Sequence, residues 1–335
     1  MGGGSKLIGI DIGSKYIKVC KILKEKNAEY SILCAIVPCS PDIHSQSRNL
    51  DKLITKMKLS KDKYFLAVGG KDLIHRDLLV PHNIDRKRLK SVVSLEFSQA
   101  VNEDISKMFS SFLVLNSNVE KKNKVLYTVA PKQKVFSKIN ILNSNSDLIL
   151  GGVTMESLAL VNAFEKFGPS YKNTESVLLA NIGVNNTNIV VLKNKELVFM
   201  RDIDFGGEDI TKDLTNAYTV PNKLAEEIKK RTELWQDIGL NIKNSLKKSS
   251  ANFLEAIFRT IEHCITRQFI VSIDRIVITG GGAKLEGIDS FIEETLGIPT
   301  VKWNPLNDIK LKGYVNKDYG CFIPIALGLA LETGE

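Results

Sequence analysis

The 335-residue chain has little of what builds metal centres or disulfide frameworks. Its five cysteines (Cys20, Cys34, Cys39, Cys264, Cys321) include no Cys-x-x-Cys, and its four histidines (His44, His75, His82, His263) are equally dispersed. That spacing excludes zinc-finger and dithiol redox motifs and fits reduced thiols in a cytoplasmic protein. No apolar run approaches the roughly 18 residues of a membrane span, and no signal-peptide core precedes the first strand, so neither export nor a span is expected. Nine prolines are few, and no low-complexity or coiled-coil stretch occurs. The formal charge of +8 would suit an acidic partner, a membrane surface or nucleic acid. The lysines are scattered without interleaved aromatics, however, so nucleic acid is not an expected partner. Residues 1–6, opening Met-Gly-Gly-Gly-Ser, read as a flexible leader.

What is present is a strand-and-turn motif that occurs twice. Leu7 to Lys18 reads as a buried strand ending in the carboxylate of Asp11, a sharp turn at Gly13, and a second strand through Ile17 and Val19. The backbone N–H groups of Ser14 and Lys15 at such a turn can point at an anion. Asn181-Ile182-Gly183 repeats the pattern 170 residues later, after the apolar run from Val177 and before a β-run over Ile189 to Leu192. Half a chain between two copies predicts a duplicated, two-lobed α/β fold with one turn per lobe facing a shared cleft.

Taken in order, the periodicities predict a strand over Tyr30 to Val37, a short amphipathic helix over Leu50 to Lys58, and a strand over Tyr64 to Val68 closed by Gly69-Gly70. A strand over Leu73 to Val80 and a helix over Arg86 to Val101 follow. Next come strands Phe109 to Leu115 and Val125 to Ala130 around a polar loop, Asn116 to Asn123. This strand-helix-strand-strand pattern predicts an inserted subdomain over 70–145 within a first-lobe core of 7–69 and 146–172. Basic residues Arg76, Arg86, Lys87, Arg88 and Lys90 cluster near its start. A strand over Leu148 to Val153 and a helix over Met155 to Phe167 complete the first lobe. The second-lobe core is expected over 173–210 and 251–335, with a small subdomain over 211–250. Its expected helices are Glu208 to Ala217, Lys223 to Leu234, Phe253 to Val271, Leu285 to Leu296 and Phe322 to Leu331. A polar linker is expected near 241–250. The strand Arg275 to Thr279 runs straight into Gly280-Gly281-Gly282.

These pieces converge on one kind of ligand. Two Gly turns offer backbone donors from both sides, which suits a polyphosphate. Three glycines at a strand end let backbone approach a flat ring or a phosphate without a Cβ clash. Glu226 and Lys229 are three apart on a helix and share a face, where a carboxylate can bridge two ribose hydroxyls. Each piece has a plain alternative: a tight strand–helix turn for Gly280 to Gly282, a solvated pair for Glu226 and Lys229, a turn cap for Asp11. Order and spacing together favour the ligand.

That order resembles the actin-like nucleotide-binding superfamily of actin, the seventy-kilodalton chaperones, sugar kinases and FtsA. Ile10 to Lys15 resembles its first phosphate motif, Asn181 to Asn188 its second, Glu226-x-x-Lys229 its ribose-contacting helix and Thr279 to Gly287 its adenosine motif. Phe205-Gly206-Gly207-Glu208-Asp209 is similar to the segment leaving the second hairpin. Within the superfamily the chain most resembles the PilM family of type IV pilus assembly proteins. The opening hairpin, the module beginning Leu78-Leu79-Val80-Pro81 with Glu96 on its helix, and Gly280 to Leu285 with Ala326 to Ala330 carry that resemblance over nearly all of Ile8 to Leu331.

The resemblance implies ATP or ADP with Mg²⁺ in the cleft. The implied contacts are Asp11, Gly13, Ser14, Lys15 and Lys18; Asn181, Gly183, Asn185, Asn186 and Thr187; and Gly207, Glu226, Lys229, Gly280, Gly281, Gly282 and Lys284. Asp11 is the implied metal ligand. No catalytic residue is assigned, Asp11 and Glu156 being the candidates if turnover occurs. The superfamily normally has Asp where Asn181 stands, and a carboxamide is a poorer base and hard-cation ligand, which favours binding over turnover. The implied partners are the N-terminal cytoplasmic tail of a PilN-type membrane protein, other pilus assembly platform proteins and further copies of the chain, at the inner face of the cytoplasmic membrane. The alternatives are an FtsA-like filament-forming division protein, or an ATP-dependent small-molecule kinase or ATPase of the same fold.

Overall fold

The computed structural model describes residues 7–24, 30–39, 42–59, 62–71, 73–100, 105–119, 122–142, 148–230, 250–313 and 315–332. The expected leader, the helix end expected at Leu234 and nearly all of the polar linker lie outside the described residues.

The first lobe opens with β1 (Leu7–Ile12), β2 (Tyr16–Lys24), β3 (Tyr30–Pro38), helix α1 (Ile43–Met57) and β4 (Lys63–Val68). The inserted segment holds β5 (Ile74–Pro81), α2 (Arg86–Ala100), β6 (Met108–Val119) and β7 (Lys122–Pro131), and runs on into α3 (Lys132–Leu142). Then come β8 (Ile149–Met155) and α4 (Glu156–Phe167). The second half holds β9 (Ser176–Ile182), β10 (Thr187–Lys193), β11 (Glu196–Ile203), α5 (Gly207–Tyr218), α6 (Asn222–Lys230), α7 (Ala251–Thr266), β12 (Arg275–Thr279), α8 (Ile288–Leu296), β13 (Thr300–Lys302), β14 (Lys310–Gly313) and α9 (Pro324–Leu329).

The duplication is visible in the sheets. One is ordered β14-β3-β2-β1-β4-β8 and the other β11-β10-β9-β12-β13. In each, a hairpin (β1-β2, β9-β10) continues into a third antiparallel strand, and its first strand pairs in parallel with β4 or β12. Parallel central strands are covered on both faces and read as continuous apolar runs, which is why Leu7 to Ile12 and Ser176 to Ile182 lack alternation. The lobes also share a core. Cys20, Ile32, Leu160 and Phe164 pack with Val177, Leu179, Leu192, Trp303 and Leu327 in one cluster. The Trp303 indole N–H donates to the Phe167 carbonyl at 3.1 Å.

The C-terminal stretch crosses back. Expected within the second-lobe core of 251–335, β14 instead pairs in parallel with β3, and α9 packs on β1 and α4. A Cβ at Gly9 would strike the Ala326 carbonyl, and one at Gly328 the Ala159 carbonyl, so both positions require glycine for close approach.

Several boundaries move. Helix α1 begins at Ile43 and not Leu50, because Asp42 caps it by accepting from the Ser45 N–H at 2.9 Å and the His44 N–H at 3.3 Å. The polar loop expected over Asn116 to Asn123 belongs largely to the two strands of the β6-β7 hairpin. Helix α3 escapes the periodicity reading, since only Val135, Ile141 and Leu142 mark its buried face. Helix α7 stops at Thr266 and not Val271, followed by Gln268 at φ 58°. The helix expected from Leu285 starts at Ile288, after a 3₁₀ turn over Gly281–Lys284, and the last helix shortens to Pro324–Leu329.

The module sheet is ordered β5-β7-β6 and has two occupied faces. Leu89, Val93 and Phe97 of α2 pack on Val125, Tyr127 and Val129. The opposite face docks on the lobes: Leu126 enters the shared core, and Lys124 donates to the Val198 carbonyl of β11 at 2.7 Å with its ammonium 3.3 Å above the Phe269 ring. His75 lies on this face, with Nδ1 2.9 Å from the Thr128 hydroxyl. Burial pushes its imidazole down to about 4. The folded state therefore binds this proton less readily than the unfolded state, so stability falls as pH drops from about 6.5 towards 4. At pH 5 the term is on the order of 2 kcal/mol. Between pH 7 and pH 5, the melting temperature of wild type should fall more steeply than that of His75→Gln; equal slopes would refute this.

Candidate functional site

A cavity of about 840 Å³ lies between the lobes, where both hairpin turns meet. Each turn is closed in the same way: the Gly13 N–H donates to the Tyr16 carbonyl at 3.1 Å, and the Gly183 N–H to the Asn186 carbonyl at 2.9 Å. The turns touch across the cleft, the Asn185 amide donating to the Ser14 hydroxyl at 3.1 Å. At corresponding cross-strand positions the two hairpins differ in charge. In the first lobe Asp11, opposite Lys18, accepts from its Nζ at 2.8 Å. In the second lobe Asn181, opposite Asn188, donates from Nδ2 to Oδ1, also at 2.8 Å. The same register holds an ion pair in one lobe and a neutral amide pair in the other.

The amide pair continues into a polar chain. Asn188 Nδ2 donates to Asp202 at 2.8 Å and lies 3.2 Å from Glu156 Oε2, while the Gly70 N–H donates to Asp202 at 2.6 Å. Burial raises the Asp202 carboxyl, and these hydrogen bonds oppose the rise.

On the other side of the cleft, Glu226 and Lys229 share a face of α6. Lys229 Nζ donates to Glu226 at 2.8 Å, the Thr211 hydroxyl at 2.7 Å and the Gly207 carbonyl at 2.8 Å. Lys15 reaches from the first lobe to within 3.3 Å of both Glu208 and Glu226. Burial alone would raise the Glu226 carboxyl. Lys229, the Thr211 hydroxyl and Lys15 outweigh it and hold the group at about 2. Burial lowers the Lys229 ammonium, against the pull of Glu226.

The triple glycine divides its roles. Gly280 has φ 87°, and a Cβ there would strike the Ile182 carbonyl and lie 2.7 Å from Asn181 Oδ1; one at Gly282 would strike Ile182. Only Gly281 faces a yielding neighbour, the Phe322 ring at 3.0 Å. Phe322 packs edge-on against Tyr16 at 5.7 Å, and Lys284 lies 4.6 Å from the Tyr319 ring centroid.

The cavity brings together Asp11, Gly13, Ser14, Lys15, Lys18, Glu156, Asn181, Gly183, Asn185, Asn186, Gly207, Glu226, Lys229, Gly280, Gly281, Gly282 and Lys284. Thr187 is the correction: it is fully buried, its hydroxyl donates to the Phe205 carbonyl at 2.8 Å, and it does not line the cavity. Its strand position explains this, because it follows the turn and faces the core. Sequence reasoning missed Lys134 and Lys138, which sit on the unrecognised helix α3, and Tyr319 and Phe322. Gly69-Gly70, noted only as the end of a strand, stands where Gly281-Gly282 stands in the other lobe and lines the same cavity.

Eight lysines and four carboxylates line the cavity. An excess of ammonium groups around two Gly turns suits a polyanion. Among the described residues no group of three or more His, Cys, Asp or Glu could hold a metal.

A family model of the type IV pilus assembly protein PilM matches residues 9–334. The cell division protein FtsA of Bacillus subtilis (strain 168) is 30% identical over 139 residues, which are 36% of this chain and 32% of FtsA. The chain thus spans about a third of the length of that relative. A solved PilM–PilN type IV pilus biogenesis complex matches with a TM-score of 0.82 at 18% identity, covering 98% of each chain. MreB5 of Spiroplasma citri, solved bound to AMPPNP, reaches 0.46 at 13% identity over 88% of this chain and 90% of that one. The fold is actin-like.

Gly280→Ala should cost about 2 kcal/mol or more, from a side chain held at positive φ against the Ile182 carbonyl. A melting temperature within one degree of wild type would show that the turn relaxes freely.

Proposed function

The chain belongs to the PilM family of type IV pilus assembly proteins, and from there we propose that it is a nucleotide-dependent adaptor: the cleft holds ATP or ADP, and the loaded protein binds the N-terminal cytoplasmic tail of a PilN-type membrane protein. The observation that carries the nucleotide part is the pair of Gly turns meeting across a lysine-rich cavity, with Glu226 and Lys229 on one wall. The turns would receive the phosphates on backbone N–H groups, and Glu226 the ribose hydroxyls, with Lys15 leaving its carboxylates for the phosphates. Asp11 and Glu156 would hold a Mg²⁺, which when bound would neutralise phosphate charge.

Asn181 supports slow turnover. It is nearly buried, and its amide is spent on Asn188, so it is poorly disposed to act as a base. Turnover should lie well below about 10 s⁻¹, the usual middle of the enzyme range. Asn181→Asp should raise it in a phosphate-release assay without weakening ATP binding in calorimetry. A wild-type rate near that middle value would favour an enzyme.

The PilM–PilN match supports the partner class. For its binding place we favour the junction of the inserted module with the first lobe. Strand β6 is an edge strand, and Phe109 and Leu113 on it are two-fifths exposed. Phe136 of α3 stands edge-on to Phe109 at 5.6 Å and is half exposed. An extended peptide could pair with such an edge and seat apolar side chains on these rings. Arg76, Lys87, Arg88 and Lys90 are exposed elsewhere on the module and suit acidic residues or an anionic membrane. Among the described residues no helix is long and apolar enough to cross a membrane. A place at the inner face of the cytoplasmic membrane would then come from the partner. Excising the whole module would remove Leu126 from the shared core and uncover the residues it packs on, so a surface change is the better test. Phe136→Asp should weaken a synthetic PilN-type tail peptide by about tenfold or more in fluorescence anisotropy, leaving ATP affinity unchanged. Undiminished peptide binding would place the site elsewhere.

A further inference from the structure

Helix α3 follows the central strand of the inserted module without a loop: β7 ends at Pro131 and α3 begins at Lys132. Val135, Ile141 and Leu142 bury one side of the helix against the first lobe. Lys134 and Lys138, one turn apart, line the cavity. Lys138 Nζ donates to the Ala67 carbonyl at 2.7 Å and lies 3.5 Å from Glu156 Oε1. Lys134 Nζ lies 3.5 Å from the point where a Cβ on Gly70 would stand, and that point is 4.0 Å from the Asn186 side chain of the second turn.

These positions give the cleft a direction. Glu226, Lys229 and Gly281 mark its nucleoside end. The turns at Gly13 and Gly183 form its middle. Beyond them, beside Asn186 and Glu156, stand Lys134 and Lys138. We propose that these two lysines form the subsite for the terminal phosphate, through which the inserted module distinguishes ATP from ADP; the inference rests on reading the cleft as an ATP site. A third phosphate would meet two ammonium groups in a partly desolvated corner, where charge-assisted hydrogen bonds are strong. With ADP Lys138 keeps the Ala67 carbonyl and Glu156. Helix α3 is continuous with β7, and β7 is docked through Leu126 and Lys124 on the second lobe. A shift of α3 on phosphate binding therefore reaches the module directly, with no slack segment between.

The test uses the full chain, calorimetry with ADP and with a non-hydrolysable ATP analogue, and the variants Lys134→Met and Lys138→Met, alone and together. In wild type the analogue should bind more tightly than ADP. The double variant should lose about tenfold or more in analogue affinity, with ADP affinity held within about twofold. Retained ADP binding also shows that the variant is folded, and Lys134→Met alone serves if losing the Ala67 contact unsettles α3. Hydrogen exchange of the 122–131 amides should differ between analogue-bound and ADP-bound wild type and not between the two states of the double variant. Equal losses for both nucleotides, or an unchanged analogue-to-ADP ratio, would overturn the proposal while leaving the ATP reading intact. A wild-type chain that binds neither nucleotide would overturn both.

Discussion

A buried carboxylate has to be paired, and this requirement organises the first half of the molecule. Asp11 is 3% exposed at the end of a strand covered on both faces. An unpaired carboxylate charge there would cost several kcal/mol. Lys18, opposite it on β2, supplies the counter-charge at 2.8 Å, and this pair fixes the hairpin that presents Gly13 to Tyr16 to the cleft. The second lobe answers the same geometric demand with Asn181 and Asn188, so its hairpin carries no charge at that point. A duplicated backbone has thus been given an ionic half and a neutral half.

The meeting of the two halves is electrostatic at the rim and apolar beneath. Lys15 stands between Glu208 and Glu226, and Glu226 stays ionised through the near-neutral range because Lys229 and Thr211 hold it at about 2. These contacts are partly solvent-exposed and individually modest. The shared core under them is not: β2, β3 and α4 pack with β9, β10 and the segment around Leu327. Rim contacts can therefore exchange for a ligand while the floor of the cleft keeps the turns opposed.

The inserted module is more closely bound to the body than an appended domain would be. Its sheet is covered by α2 on one side and by both lobes on the other, and Lys124 is held between the Val198 carbonyl, the Phe269 ring and Asp77 at 3.4 Å. A lysine so buried has its ammonium lowered by desolvation, with Asp77 opposing the change. The module's outward groups, Phe109, Leu113 and Phe136 among them, are consequently displayed from a rigid base.

How much could be read before folding follows from the range of each interaction. The strand–turn repeat, the Gly280 to Gly282 turn and the Glu226–Lys229 spacing are local, and residues within a few positions of one another express their geometry directly in sequence. The two-lobed architecture and most lining residues were legible for that reason, as was family membership. What stayed hidden depends on contacts between distant segments. Helix α3 has a weak apolar stripe, so its existence and the arrival of Lys134 and Lys138 in the cleft follow from docking against β4 and α1. The return of β14 and α9 to the first lobe, the removal of Thr187 from the site and the burial of Leu126 and Lys124 are likewise set by what packs opposite. The pieces of the cleft are written in short stretches of the chain, because turns and strand ends are local chemistry. Which side chains share the cavity is set by folding, because burial and pairing belong to surfaces that meet after more than a hundred residues of intervening chain, as at Asn185 and Ser14.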